Sequence, residues 1–258
     1  SPTDKINQFY NSNVIFSFEN YSLIRIKGNA SPRLNDDLAL LLTTSGSTGS
    51  PKLVRISYDN LEANANSIAE YLSIDKNERP ITALPMSYTF GLSIINSHLI
   101  KGAAILLTSK SLMEKEFWTF LKEEKATSLS GVPDKFEMLK KLRFFNMNLE
   151  HLKTMTQAGG KMNDELNHEF SSFCNKSGIN FFVMYGQTEA TARMSYLPAE
   201  CSLSKLGSMG VAIPGGKFYL IGDKSEIIVK NEVVGELVYE GRNVSMGYAI
   251  CKEDLRRG

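Results

Sequence analysis

Between residues 38 and 185, short apolar runs of strand length alternate with longer segments whose apolar residues fall on one helical face. The strand candidates are 38–42, 53–56, 81–84, 103–107, 127–132, 152–156 and 181–185. Helix candidates lie between them at 92–100, 112–125, 134–142 and 164–176. An earlier one follows Ser57, a residue able to cap it, and places Leu61, Ala65, Ile68 and Leu72 on one face. Strands joined in this way by helices predict an α/β fold, a mostly parallel sheet flanked by helices. The unbroken apolar run 38–42 is expected to be a strand buried on both faces. Ahead of it, 14–18 and 23–26 read as strands separated by Glu19-Asn20, and 28–37 reads as a loop.

The alternation stops near Cys201. From Leu206 onward the segments 217–221, 226–229 and 236–239 are short strands punctuated by Gly222-Asp223 and Asn231, with no helical period. This predicts a small antiparallel β subdomain, so the chain divides into an α/β core over 1–200 and a β-rich part over 201–258.

Several functional classes are excluded by composition. A net charge of +1 and the lack of a long Lys/Arg cluster give nucleic-acid binding no electrostatic basis. The longest apolar runs are far too short for a membrane span. Residues Ser1-Pro2-Thr3-Asp4-Lys5 do not resemble a signal peptide. Cys174, Cys201 and Cys251 are widely spaced, form no CxxC pair and have no histidine at ligand spacing. They read as three reduced cysteines of a cytoplasmic protein.

Three short segments carry chemistry. Thr43-Thr44-Ser45-Gly46-Ser47-Thr48-Gly49-Ser50-Pro51-Lys52 leaves a strand as a run of hydroxyls and glycines and ends in a cation. Glycines allow close backbone approach, and successive N–H groups and hydroxyls can donate to phosphate oxygens. Lys52 does not directly follow a glycine, so this is not a Walker A loop. By composition alone the segment reads equally well as a flexible polar loop. Tyr185-Gly186-Gln187-Thr188-Glu189 sits at the carboxyl end of a strand, where ligands of open α/β sheets collect. Glu189 there can offer a hard oxygen to Mg²⁺, or can simply face solvent. Gln157-Ala158-Gly159-Gly160-Lys161 follows another strand, and its glycines fit either a flat wall for a purine or a plain turn.

Taken together and in order, these segments are more specific. The phosphate-type loop is followed by Leu84-Pro85-Met86-Ser87-Tyr88-Thr89-Phe90-Gly91, Ala158-Gly159-Gly160, Tyr185-Gly186-Gln187-Thr188-Glu189, and Gly235-Glu236-Leu237 with Gly241 and Gly247-Tyr248. Over most of its length, residues 38–249, the chain resembles the adenylate-forming superfamily of acyl- and aryl-CoA synthetases, luciferases and peptide-synthetase adenylation domains. The resemblance implies that Thr44, Ser45, Gly46, Ser47, Thr48, Gly49 and Lys52 grip the β- and γ-phosphates of ATP. Gly159 and Gly160 would line the adenine and Tyr185 would stack on it, with Gly186 in the same nucleotide site. Thr188 would contact the α-phosphate, and Glu189 would bind Mg²⁺. The implied reaction joins a small carboxylic acid to AMP with release of pyrophosphate. A thiol, coenzyme A or the phosphopantetheine of an acyl carrier protein, would then take the acyl group.

The sequence departs from the family's pattern in several places. Leu53 follows the loop lysine where glycine is common, and Ser87-Tyr88 stands where CoA ligases often carry an aromatic–His pair. Tyr88 keeps bulk and a hydroxyl but is not a cation at neutral pH. It is a candidate for steering the acid or, equally, an ordinary packed tyrosine. The absence of Asp from residues 85–91 weighs against an amino-acid substrate. The family's ribose-binding Asp motif, hinge and C-terminal lid are not found, nor is much of the stretch that precedes the loop. The expectation is therefore a fragment of the large N-terminal domain. An amino-acid adenylation domain and a catalytically incomplete ATP-binding module remain the alternatives.

Overall fold

The computed structural model of the chain describes residues 33–44 and 52–258, together with the backbone of two strands, Ser12–Phe18 (β1) and Tyr21–Ile26 (β2). It divides into two compact units, residues 1–58 with 245–258 and residues 59–244. This partition differs from the division at 200/201 read from the sequence. Residues 201–244 stay with the α/β core, and residues 245–258 join the early strands because Tyr248–Ala249 pairs with one of them.

In the first unit β1 and β2 form an antiparallel pair running from Ser12↔Ile26 to Phe18↔Tyr21, with an irregularity between Val14 and Phe16. Leu38–Thr43 (β3) and Leu53–Ser57 (β4) also pair antiparallel, and Tyr248–Ala249 covers the other side of β4. The central strand β4 is buried at every residue. The expectation that 38–42 is buried on both faces is corrected here: of β3 only Leu42 is buried, at 7% exposure. A strand at the edge of a three-stranded sheet has neighbours on one side only. Its Leu38 and Leu41 pack on the small cluster of Leu53, Ala249 and Leu255. Arg55 of β4 is buried too. Its guanidinium donates to the carbonyls of Met246 (2.5 Å), Arg257 (3.1 Å) and Asp254.

Helix Tyr58–Tyr71 (α1) leads into the second unit. That unit is built on the strands Pro80–Thr82 (β5), Leu106–Leu107 (β6), Ser128–Gly131 (β7), Thr154–Gln157 (β8), Asn180–Tyr185 (β9), Ser195–Tyr196 (β10) and Val211–Ala212 (β11). They form one sheet in the order β11-β10-β9-β8-β7-β5-β6. Strands β5 to β9 are parallel, and β10 and β11 are antiparallel additions at one edge. The expected α/β sheet is present. A three-stranded antiparallel sheet of Gly216–Ile221 (β12), Ile227–Ile228 (β13) and Glu236–Gly241 (β14) follows, in the order β13-β12-β14.

The helices Thr89–Leu99 (α2), Lys115–Glu123 (α3), Pro133–Lys141 (α4) and Asp164–Ser177 (α5) have local causes. Asn163 caps α5 by accepting from Leu166 N, acidic residues follow in its first turn, and Gly178 closes it at φ 67°. Pro133 opens α4, where a missing N–H costs nothing. Helix α2 begins three residues before the expected 92. Gly91 permits this, because any Cβ there would strike the carbonyl of Pro85.

Strand period sorts the core into two faces. On β9, Phe181 and Val183 point into a cluster with Phe117, Phe136, Phe144, Met155 and Phe170, whereas Phe182 and Met184 pack with Phe90, Ile94 and Ala158. Phe136 and Phe170 meet edge to face at 4.9 Å. Burying each such ring contributes about 1.5–3 kcal/mol. No helix among the described residues is long and apolar enough to cross a membrane.

Candidate active site

The carboxyl ends of β5, β8 and β9 each run straight into one of the segments singled out from the sequence. Helix α2 joins them. Its capping residue Tyr88, half-buried, places its hydroxyl against Gly159, where a Cβ would collide with it. The next residue, buried Thr89, meets Thr188 with hydroxyl oxygens 3.1 Å apart. Two consecutive residues thus tie the Ala158-Gly159-Gly160 segment and the Tyr185–Glu189 turn to one helix start.

Each segment has its own support. Gly159 takes φ +82°, a conformation side chains rarely adopt. Gln157, itself buried, donates from Nε2 to the carbonyl of Gly160 at 2.8 Å and closes the turn. Both glycines are exposed. Tyr185 ends β9 at 39% exposure, leaving its ring open for stacking. Gly186 lies so close to the carbonyl of Ala192 that only glycine fits. Thr188–Ala190 form one 3₁₀ turn that carries Thr188 and Glu189, both half-buried. Thr191 and Ala192 then take φ 53° and 95°, unusual for residues with a Cβ.

A cation is buried behind this turn. Arg193 is 1% exposed and donates to Tyr71 Oη (3.3 Å), Ser93 Oγ (3.1 Å) and the Met184 sulfur, with the Phe90 ring 4.4 Å from its guanidinium carbon. Burial lowers its pKa, and the same burial raises that of Tyr71, an effect Arg193 opposes. His98 of α2 is driven down to about 4 by burial, against the favourable carbonyl of Ile94 (2.7 Å from Nδ1) and with Arg193 adding to the fall. It is therefore neutral at physiological pH. Cys174, also buried, has its thiol pushed up to about 12 and is unreactive.

In the first unit Thr44 follows β3, half-buried, and Lys52 precedes β4 with its ammonium 4.7 Å from the centre of the Tyr248 ring. Such a contact is an attraction of about 0.5–1 kcal/mol at an exposed site. Ser45, Gly46, Ser47, Thr48 and Gly49 lie outside the described residues. No group of three or more His, Cys, Asp or Glu able to hold a metal occurs among the described residues. Any Mg²⁺ at Glu189 would draw its other oxygens from water and phosphate, a donor set that this hard cation accepts.

Sequence reasoning missed Thr89, Arg193 and Asn243, which holds the turn after Glu189 by hydrogen bonds to Ala190 and Arg193. A lone arginine four places beyond Glu189 was the only signal for the second of these.

Comparison with known proteins gives concordant results. The family described as AMP-binding enzyme matches residues 7–249. A feruloyl-CoA synthase from Amycolatopsis is 28% identical over 83% of this chain and 43% of its own length. A 2-succinylbenzoate–CoA ligase from Bacillus cereus is 28% identical over 86% of this chain and 44% of its own. Among solved structures, the O-succinylbenzoate coenzyme A synthetase of Bacillus subtilis in complex with AMP superposes with a TM-score of 0.73 at 28% identity, covering 83% of this chain and 43% of that one. Its complex with ATP and magnesium gives 0.73 at 26%, covering 89% and 46%. The chain spans less than half the length of these relatives.

Proposed function

Because this chain belongs to the AMP-binding enzyme family, we propose that it forms the ATP-binding part of an AMP-forming acid–thiol ligase. An oxygen of the substrate carboxylate attacks the α-phosphorus of ATP. The new P–O bond forms as the bond to pyrophosphate breaks. A thiol then attacks the acyl carbon, forming a thioester and releasing AMP. Coenzyme A is the acceptor favoured by the names of the relatives, and a small carboxylic acid is the substrate class.

The observation that carries this reading is the pair Tyr88–Thr89, which gathers the third and fourth segments at one point. In this reading Gly159 and Gly160 flank the adenine, Tyr185 stacks on it, and Gly186 lets the turn fold back beneath the nucleotide. Thr188, with its hydroxyl oriented by Thr89, donates to the α-phosphate. Glu189 holds Mg²⁺, which when bound neutralises phosphate charge. Thr44, Ser45, Gly46, Ser47, Thr48, Gly49 and Lys52 grip the outer phosphates, with Lys52 leaving the Tyr248 ring to do so. Tyr88, half-buried, borders the path of the acid. The work of these groups is alignment and charge stabilisation.

Pyrophosphate exchange in the protein that carries this chain tests the reading. Glu189→Gln keeps shape and removes charge, and it is expected to slow exchange by about 10²-fold or more. Exchange at the unchanged rate would return Glu189 to an ordinary loop residue.

A further inference from the structure

The turn that carries Thr188 and Glu189 is followed by two consecutive strained residues, Thr191 at φ 53° and Ala192 at φ 95°. Residues without glycine's freedom persist in such conformations only where the surroundings over-determine them. The agent here is a single buried side chain. Asn243, 3% exposed and beyond the end of β14, donates from Nδ2 to the carbonyls of Ala190 (2.7 Å) and Arg193 (2.9 Å). Its backbone carbonyl accepts the Thr191 hydroxyl at 2.7 Å. The strained pair is thus bracketed on both sides by one residue about fifty positions away in sequence.

The amide's orientation is fixed as well. Tyr239 Oη donates to Asn243 Oδ1 at 2.8 Å, so Nδ2 must face the turn. The second lone pair of the Arg193 carbonyl is taken by Asn64 Nδ2 of α1 at 3.0 Å. With the Gly186 backbone pressed against the Ala192 carbonyl, the turn has little freedom left. Thr188 and Glu189 lie within three residues of the strained pair. Any relaxation of the pair would rotate them.

We infer that Asn243 is a positioning residue: it holds the strained backbone at Thr191 and Ala192 so that Thr188 and Glu189 face the nucleotide and its metal. This rests on the reading of Thr188 and Glu189 given above. Asn243 touches neither nucleotide nor metal in this scheme and acts through the backbone alone.

The test uses titration of the protein with Mg²⁺ and ATP, alongside hydrogen exchange at the amides of residues 188–192. Asn243→Ala is expected to weaken Mg²⁺-dependent ATP binding by about 10- to 100-fold, the usual cost of losing an outer-shell support, and to speed exchange in the turn. Adding Ala192→Gly, which removes the penalty of positive φ, should recover a large part of the lost affinity. Should Asn243→Ala not fold, Tyr239→Phe, which frees the amide without removing it, should weaken binding in the same direction by a smaller factor. A folded Asn243→Ala with unchanged affinity overturns the inference. So does a loss that Ala192→Gly leaves untouched, because Asn243 would then be acting by packing. If the unmodified protein itself does not bind Mg²⁺–ATP, the functional reading fails instead. The hold on the turn then stands or falls on whether Asn243→Ala accelerates exchange at residues 188–192.

Discussion

Two arginines, one in each unit, are buried to the same degree by opposite means. Arg55 lies on the central strand β4 at 3% exposure, ringed by the backbone carbonyls of Met246, Asp254 and Arg257. Arg193 lies behind the candidate site at 1% exposure, among a phenol, a hydroxyl, a thioether and the face of a phenylalanine. All of these partners are uncharged groups. Three carbonyl dipoles solvate Arg55, whereas two hydroxyls, a weakly accepting thioether and a π-face solvate Arg193. The difference shows where each side chain's value lies. The surroundings of Arg55 depend on it, because its removal takes a charged donor from three backbone carbonyls, one of them in buried Asp254. The surroundings of Arg193 tolerate it.

The sharpest way to break this contrast is to truncate Arg55. Arg55→Ala should cost about 3–5 kcal/mol, because it removes hydrogen bonds from a charged donor that are worth roughly 1.5–3 kcal/mol each. Hydrogen exchange at the amides of β3 and β4 would measure it. A loss under 1 kcal/mol would mean that the carbonyls find water and that the contrast is empty.

A second effect follows from His98, the titratable neighbour of Arg193. Its folded pKa of about 4 lies below the ordinary 6.5, so the folded state favours the neutral ring. This stability is fully present above pH 6.5 and is lost as pH falls through 6.5 toward 4. Over that window about 3 kcal/mol should disappear. Denaturant melts at pH 7, 6, 5 and 4 would show a slope that His98→Gln flattens. An equal slope in the variant would assign the acid sensitivity elsewhere.

The smallest effect is expected at Arg193 itself. Arg193→Met keeps an unbranched chain of similar reach and removes a charge solvated only weakly. Stability should change by no more than about 1 kcal/mol in either direction, since buried charges are often replaceable by apolar groups. Thermal melts would detect a larger loss, which would mean that the ring and sulfur contacts hold the guanidinium more firmly than weak acceptors should.

The parts of this molecule legible in sequence were those written locally. Strand–helix alternation from 81 to 185 gave the α/β sheet, because each element shows its period in its own residues, whereas 38–42 and 53–56 pair antiparallel in a separate sheet. The helix read at 164–176 is observed at Asp164–Ser177. The chemistry-bearing segments also stood out, since glycine and hydroxyl runs are conspicuous. Their convergence was not legible. Thr89 and Thr188 are 99 positions apart, and neither a hydroxyl nor its neighbours announces such a partner. Nor could period distinguish a strand buried on both faces from one at an edge: 38–42 is apolar throughout, yet it borders the small sheet of the first unit. Arg55 and Asn243 escaped for a related reason, because their partners are carbonyls, which every residue carries.

The seven-stranded sheet ends at both edges in strands of two residues, Leu106–Leu107 and Val211–Ala212. A long open ladder at a sheet edge is a template on which another chain can add a strand, the first step toward aggregation. Here each edge offers only a residue or two of unpaired backbone before the chain turns away. Parallel sheets assemble slowly, because their pairings await distant segments, and their edges stay open in the meantime. Short outer strands reduce that hazard at its source: a stray chain meeting either border finds too few N–H and C=O groups in line to form a stable pair.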